Sequence, residues 1–192
     1  MKDSKDFSFL NNNFELYKKI INNSYYNNFE KLITFKNLII NSNKKNKIFC
    51  AANGGSNTII THFSVDMLKL NKLHVSAFND PALITAFTND YSQELSTKKM
   101  VEYFCKKNDL LIIISSSGES LNLINAARFA KKKNIKLVTF TGFKKNNTLS
   151  KISPFNIWVD SKSYNMVENI HQIMLTSVID LIYGDIYYPS NL

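Results

Sequence analysis

Leu110-Leu111-Ile112-Ile113-Ile114-Ser115-Ser116-Ser117-Gly118-Glu119-Ser120 is the stretch that decides how this chain folds. Five apolar residues without alternation are typical of a strand buried on both faces of a parallel sheet. The run ends in four serines and a glycine, and helical periodicity follows over 120–133. A small-residue turn between strand and helix leaves backbone N–H groups free at the positive end of the helix. The stretch therefore predicts a loop that binds a phosphate group.

A second turn of this kind, Asn53-Gly54-Gly55-Ser56, follows the apolar run at 47–52. Its glycines would let the backbone approach a ligand closely, although a Gly-Gly-Ser turn can equally be a tight connection. The turn is neither a G-x-G-x-x-G motif nor a P-loop, so nucleotide binding is not predicted. In the serine loop Ser120 can serve as a helix N-cap, whereas Ser115 and Ser117 have no evident structural task. Together the two loops indicate a phosphorylated small-molecule ligand.

Strands and helices alternate through the rest of the chain, which predicts an α/β fold. This is a three-layer α/β/α sandwich around a parallel sheet. Ligands of such sheets bind beyond the carboxyl ends of the strands, where both loops fall. We expect a single domain over 1–192, with the α/β core at 46–192. The predicted strands are 47–52, 73–77, 110–115, 135–140 and 155–159, and the predicted helices are 56–70, 81–87, 93–106, 120–133, 148–152 and 164–182.

The segment 1–45 contains no glycine or proline and carries apolar residues at helical spacing. We interpret it as an N-terminal helical pair, packed as a hairpin or against a neighbouring subunit. The first apolar stripe consists of Phe7, Leu10, Phe14, Tyr17 and Ile21, and the second of Phe29, Leu32, Ile33, Ile39 and Ile40.

Composition limits the compartment and the partners. The 192 residues include no apolar run of the roughly 20 residues that span a bilayer, and the first residues are too polar for a signal peptide. We expect a cytoplasmic protein without membrane contact, with Cys50 and Cys105 as buried reduced thiols. The net charge is +9, but Arg128 is the one arginine among 24 basic residues and the lysines are scattered. A nucleic-acid partner is therefore not expected.

Six motifs in order make the chain resemble the sugar isomerase (SIS) domain family, closest to its phosphoheptose isomerase branch. The resemblance covers nearly the whole chain and implies a flavodoxin-like sheet and a homotetramer or homodimer with sites between subunits. It also implies that Ser115, Ser116, Ser117 and Ser120 bind a sugar phosphate, that Asn53, Gly54, Gly55 and Ser56 line the substrate, and that Asn89 and Asp90 contact its hydroxyls. The motifs are 52–56, His62-Phe63, Asn89-Asp90, 115–120, Thr141-Gly142 and the helix at 164–182.

The resemblance also implies a divalent metal such as zinc, held in those isomerases by His, Glu, Gln and His. Here His62 matches the first ligand, Asp66 stands at the Glu position and Glu168 at the Gln position. Thr176 stands where the second histidine is expected. His62, Asp66 and Glu168 could still hold a divalent ion, but a typical zinc site is not expected.

The function implied is aldose–ketose isomerisation of sedoheptulose 7-phosphate to a heptose 7-phosphate, for surface polysaccharide precursors. The reaction needs a base beside the substrate carbon, and Asp66 or Glu168 is the expected catalytic residue. Glu119 stands where phosphoheptose isomerases usually have Asn, and other SIS isomerases have Glu there. The alternative is a non-catalytic phosphosugar sensor or regulator similar to the DnaA initiator-associating protein.

Overall fold

The computed structural model describes residues 4–189 and confirms the predicted alternation of strands and helices. Predicted and observed boundaries agree within a few residues from β1 onward, and the largest difference is α3, which continues four residues further than expected. The elements are α1 (Lys5–Asn43), β1 (Ile48–Ala52), α2 (Gly54–Asn71), β2 (Val75–Ala77), α3 (Pro81–Tyr91), α4 (Gln93–Phe104), β3 (Leu110–Ser115), α5 (Leu121–Lys132), β4 (Lys136–Thr141), α6 (Thr148–Ile152), β5 (Phe155–Trp158) and α7 (Tyr164–Tyr183).

The five strands form one parallel sheet in the order β2-β1-β3-β4-β5. In the centre of the sheet Cys50 pairs with Ile112, which in turn pairs with Val138. This is the flavodoxin-like order, whose switch point lies between β1 and β3. The predicted fold class is confirmed, and both predicted loops begin at the switch point.

The central strands are buried on both faces, so alternate residues pack against different helix layers. Cys50, Ile112 and Ile114 belong to the core that includes side chains of α1, α2 and α7. Leu111 and Ile113 belong to the opposite core, with side chains of α4 and α5. This double burial explains why β3 reads as a continuous apolar run rather than as an alternating one.

The predicted N-terminal helical pair is wrong, because α1 is a single helix of 39 residues. Nothing in the segment breaks a helix, and Ser4 caps its start by accepting a hydrogen bond from the Phe7 N–H. Full burial begins only at Ile20. Of the first apolar stripe, Tyr17 and Ile21 pack against the core, whereas Phe7, Leu10 and Phe14 are exposed, Phe14 by 64%. None of the helices between Ser4 and Pro189 combines the length and apolarity that a bilayer crossing needs.

Candidate functional site

Two turns at the switch point enclose a cavity of about 350 Å³. Eight of the ten predicted substrate-binding residues line it, and the additional lining residues include Tyr164 and Glu168 from α7. The strands bring the turns together because β1 and β3 are hydrogen-bonded neighbours. The eight residues are Asn53, Gly54, Gly55, Ser56, Ser115, Ser116, Ser117 and Ser120.

The remaining two predicted residues lie elsewhere. Asn89 and Asp90 are exposed near the end of α3, where the Asn89 amide donates to the Asp90 carboxylate at 3.1 Å. Neither lines the cavity within the described chain.

The glycines of the first turn are required for two different reasons. Gly54 has a φ of +52°, a left-handed conformation that favours glycine. Gly55 is helical, but a Cβ there would overlap the carboxylate of Glu168. The turn therefore uses Gly54 for its backbone conformation, whereas a side chain at Gly55 would displace the Glu168 carboxylate.

Some hydroxyls of the serine loop form hydrogen bonds within the loop, and others keep hydrogen-bonding capacity for a ligand. Contrary to the expectation from the sequence, Ser115 and Ser117 have structural tasks: their hydroxyls accept hydrogen bonds from the Gly118 and Glu119 N–H groups at 3.3 and 3.2 Å. The Ser116 hydroxyl is buried and has no partner among the described residues. The Ser120 hydroxyl accepts a long hydrogen bond of 3.5 Å from Ser115. Ser116 and Ser120 are therefore the hydroxyls with most capacity left for a ligand.

Two of the helices that begin at the cavity, α2 and α5, lack side-chain caps. Asn53 is the N-cap residue of α2 and Ser120 that of α5, and neither side chain makes a capping hydrogen bond. The N-cap residues of α1, α3, α6 and α7 each accept a backbone N–H, whereas that of α4, Ser92, does not. The four capping residues are Ser4, Asp80, Asn147 and Ser163. The cavity thus faces two helix N-termini whose first N–H groups have no side-chain cap, which is an arrangement suited to an anion.

Among residues 4–189, Glu168 is the one carboxylate that lines this cavity. It lies in the second turn of α7, half-buried, and its Oε1 accepts a hydrogen bond from the Ser56 hydroxyl at 3.1 Å. A carboxylate beside the cavity can accept a proton from a bound ligand.

His62, Asp66 and Glu168 do not form a metal site in this structure. His62 Nε2 lies 2.8 Å from Asp66 Oδ2, and the Gln172 amide nitrogen lies 2.9 Å from His62 Nδ1. With the amide donating to Nδ1 and Nε2 donating to Asp66, the imidazole keeps no free lone pair for a metal.

The position of the second expected histidine offers no metal ligand either. The Thr176 hydroxyl donates to carbonyl oxygens of its own helix. No group of three or more His, Cys, Asp or Glu side chains suited to a metal ion occurs within residues 4–189. Thr176 therefore does not supply the fourth ligand of the zinc site that the resemblance implies.

Gln172 was missed by the sequence reasoning. It lies one helical turn after Glu168 and one turn before Thr176, so the spacing of four along α7 could have indicated it.

The Glu119 carboxylate is bound to the start of α6. Its carboxylate accepts hydrogen bonds from the Thr148 N–H and hydroxyl at 2.9 and 2.6 Å. These hydrogen bonds hold the pKa of the Glu119 carboxyl below its ordinary value. Glu119 thus fastens the serine loop to the start of α6 and does not line the cavity.

Comparison with known proteins agrees with this geometry. The SIS domain family matches residues 14–142. A phosphoheptose isomerase of Glaesserella parasuis is 31% identical over 149 residues, covering 73% of this chain and 77% of that protein. One from Akkermansia muciniphila is 29% identical over 148 residues, covering 74% and 78%.

A solved structure of a phosphoheptose isomerase from Francisella tularensis has a TM-score of 0.87 at 22% identity. The superposition covers 95% of this chain and 100% of that chain, so the two share a fold. With a family match over more than half of its length, this chain belongs to the SIS domain family.

Proposed function

We propose that the chain is a phosphosugar isomerase that converts sedoheptulose 7-phosphate to an aldose heptose 7-phosphate, for the synthesis of surface polysaccharide precursors. The observation that carries the proposal is the cavity built from the serine loop and two helix N-termini without side-chain caps. The identity to phosphoheptose isomerases supports the choice of a seven-carbon sugar.

The phosphate is anchored by the serine loop. Its oxygens accept from the Ser116 and Ser120 hydroxyls and from the first N–H groups of α5. The sugar then extends toward the Asn53 turn and Glu168, which line the same cavity.

Glu168 is the proposed base. It removes a proton from C1 of the ketose while the C2 carbonyl oxygen gains a proton, which gives an enediol. Return of the proton to C2 with loss of the C1 hydroxyl proton gives the aldose. Glu168 is preferred to Asp66 because it lines the cavity, whereas Asp66 is held by His62. These steps use residues of this chain, and none is assigned to a metal.

We also propose that the protein is a homo-oligomer, either a tetramer or a dimer, joined through the first half of α1. A second copy is the natural cover for this apolar face, because burial by the same chain begins only at Ile20. The exposed side chains of the face are Phe7, Leu10 and Phe14, and Phe9 and Leu16 are exposed on the opposite side of the helix.

We also propose a cytoplasmic location, which fits the buried free thiols of Cys50 and Cys105.

Turnover measurements test the function. The purified protein is incubated with sedoheptulose 7-phosphate, with EDTA or with added divalent metal, and the aldose product is followed. We expect product in both conditions and a loss of at least a hundredfold in Glu168→Gln. Glu102→Gln is the matched control, because Glu102 lies on the surface of α4 beside Lys99. Turnover by Glu168→Gln at the wild-type rate would exclude Glu168 as the base.

A non-catalytic phosphosugar sensor or regulator is the second candidate. It is favoured by Thr176, which places no titrating group where a histidine is expected, and by the His62 ring, whose two nitrogens are both engaged. A sensor would show no turnover under any metal condition, yet its melting temperature would rise with sedoheptulose 7-phosphate.

A further inference from the structure

Asn53 occupies an N-cap position and does not act as a cap. Its backbone has φ −118° and ψ 157°, the extended conformation that N-cap residues adopt. Asparagine is among the best capping residues, and its Oδ1 would accept the N–H of Gly55 or Ser56. In this structure the Asn53 side chain makes no such hydrogen bond.

The side chain is directed instead toward Asn122, which lies in the first turn of α5. The two amides exchange hydrogen bonds: Asn53 Nδ2 donates to Asn122 Oδ1, and Asn122 Nδ2 donates to Asn53 Oδ1, each at 2.9 Å. Asn122 Nδ2 also donates to the Thr97 hydroxyl of α4 at 2.9 Å. The oxygen that would cap α2 is therefore occupied by an amide whose own position is fixed by a third helix.

We infer that Asn122 is a positioning residue that keeps Asn53 Oδ1 away from the start of α2. The Gly55 and Ser56 N–H groups then stay available for the oxygen atoms of a bound phosphosugar. This inference rests on the proposed function for the identity of the ligand. The arrangement of the backbone and of the amide pair does not depend on it.

The inference explains why α2 lacks the stabilisation that a side-chain cap gives to a helix. Three of the four helices that begin away from the cavity use their N-cap side chains, and α4 does not. Asp80 accepts from the Leu83 N–H at 2.8 Å, and Asn147 from the Ser150 N–H at 2.9 Å. Asn147 shows that an asparagine in this fold can cap a helix: its Oδ1 accepts from Ser150, while its amide nitrogen donates to the Lys144 carbonyl at 2.8 Å. The distinguishing feature at α2 is the amide partner at Asn122.

Amide hydrogen exchange, measured by NMR on Asn122→Ala, tests whether Asn122 keeps the Asn53 side chain away from the start of α2. Without Asn122, the Asn53 side chain is free to rotate onto α2, so the Gly55 or Ser56 amide should exchange at least several-fold more slowly than in the wild type. Asn125→Ala is the matched control, because Asn125 lies one turn further along α5 and donates to the Glu94 carbonyl at 3.0 Å. It should leave both amides unchanged.

Calorimetric titration with sedoheptulose 7-phosphate tests whether Asn122 supports binding of the phosphosugar. Asn122→Ala should bind about fivefold to tenfold more weakly than the wild type, whereas Asn125→Ala should bind equally well. The double variant Asn53→Ala/Asn122→Ala should bind as tightly as Asn53→Ala alone, since the side chain that Asn122 positions is then absent.

The inference is overturned if exchange at Gly55 and Ser56 is the same in Asn122→Ala and wild type, or if the two mutations weaken binding additively. If wild-type protein binds no sedoheptulose 7-phosphate, the proposed substrate is wrong. The exchange result still decides whether Asn122 controls the start of α2.

Discussion

His171 should make the fold sensitive to acid, because its ring is fully buried between α7 and the sheet. It has one hydrogen-bonding contact, at 3.3 Å from Nε2 to the Thr141 carbonyl, and packs edge-on against Phe140. Its Nδ1 has no partner in the described chain. Burial lowers the pKa of His171 from 6.5 to about 4, so the native ring is neutral at pH 7.

The direction in which stability changes with pH follows from proton uptake on unfolding. With the lowered native pKa, the unfolded chain binds more protons below pH 6.5, and stability falls as the pH falls. For pKa values of 6.5 and about 4, this amounts to roughly 3 kcal/mol lost by pH 4. That is a large part of the 5–15 kcal/mol typical of a domain.

Urea unfolding at pH 7.5, 6, 5 and 4 measures this loss. The glutamine side chain in the His171→Gln variant can still donate to the Thr141 carbonyl and does not titrate. The pH dependence of this variant's free energy of unfolding therefore comes from all the other titrating groups. We expect the wild type to lose about 3 kcal/mol more than His171→Gln between pH 7.5 and pH 4. Parallel curves for the two proteins would refute the reasoning, as would an NMR titration of His171 with a midpoint near 6.5.

Three further substitutions test other parts of the structure. Ser92 has φ 78° and ψ 158°, a region that is essentially glycine-only, so Ser92→Gly should stabilise by about 1 kcal/mol in urea unfolding; Ser92→Ala should not. Gly55→Ala places a Cβ against the Glu168 carboxylate, so it should lower kcat at least tenfold with a smaller effect on KM; unchanged kcat would contradict the proposed base. Glu119→Ala removes both hydrogen bonds from Thr148 and should cost about 1 kcal/mol in the same unfolding assay; no loss would contradict its structural role.

The sheet could be predicted from the sequence because its strands are buried on both faces. Residues 110–114 and 47–52 are apolar runs that end in loops, and this pattern alone gave the parallel sheet and the position of the cavity. The helical pair was wrong for a physical reason. An apolar stripe such as that at Phe14 shows that a face needs cover, but it does not show whether the same chain or another one covers it.

The site was predictable only in its local parts. The serine loop and the glycine turn are contiguous motifs, so their chemistry is visible in the sequence. Contacts between distant segments are not: Ser56 meets Glu168 across 112 residues, and Asn53 meets Asn122 across 69. The distribution of tasks among the serine hydroxyls likewise depends on loop geometry that no spacing rule supplies.

The most direct test of the central claim is a pair of calorimetric titrations of the wild-type protein, one with sedoheptulose 7-phosphate and one with sedoheptulose. If the serine loop anchors a phosphate, several charge-assisted hydrogen bonds depend on that group. The phosphorylated sugar should then bind at least about a hundredfold more tightly. Equal affinity for the two sugars, or no binding of either, would contradict the account.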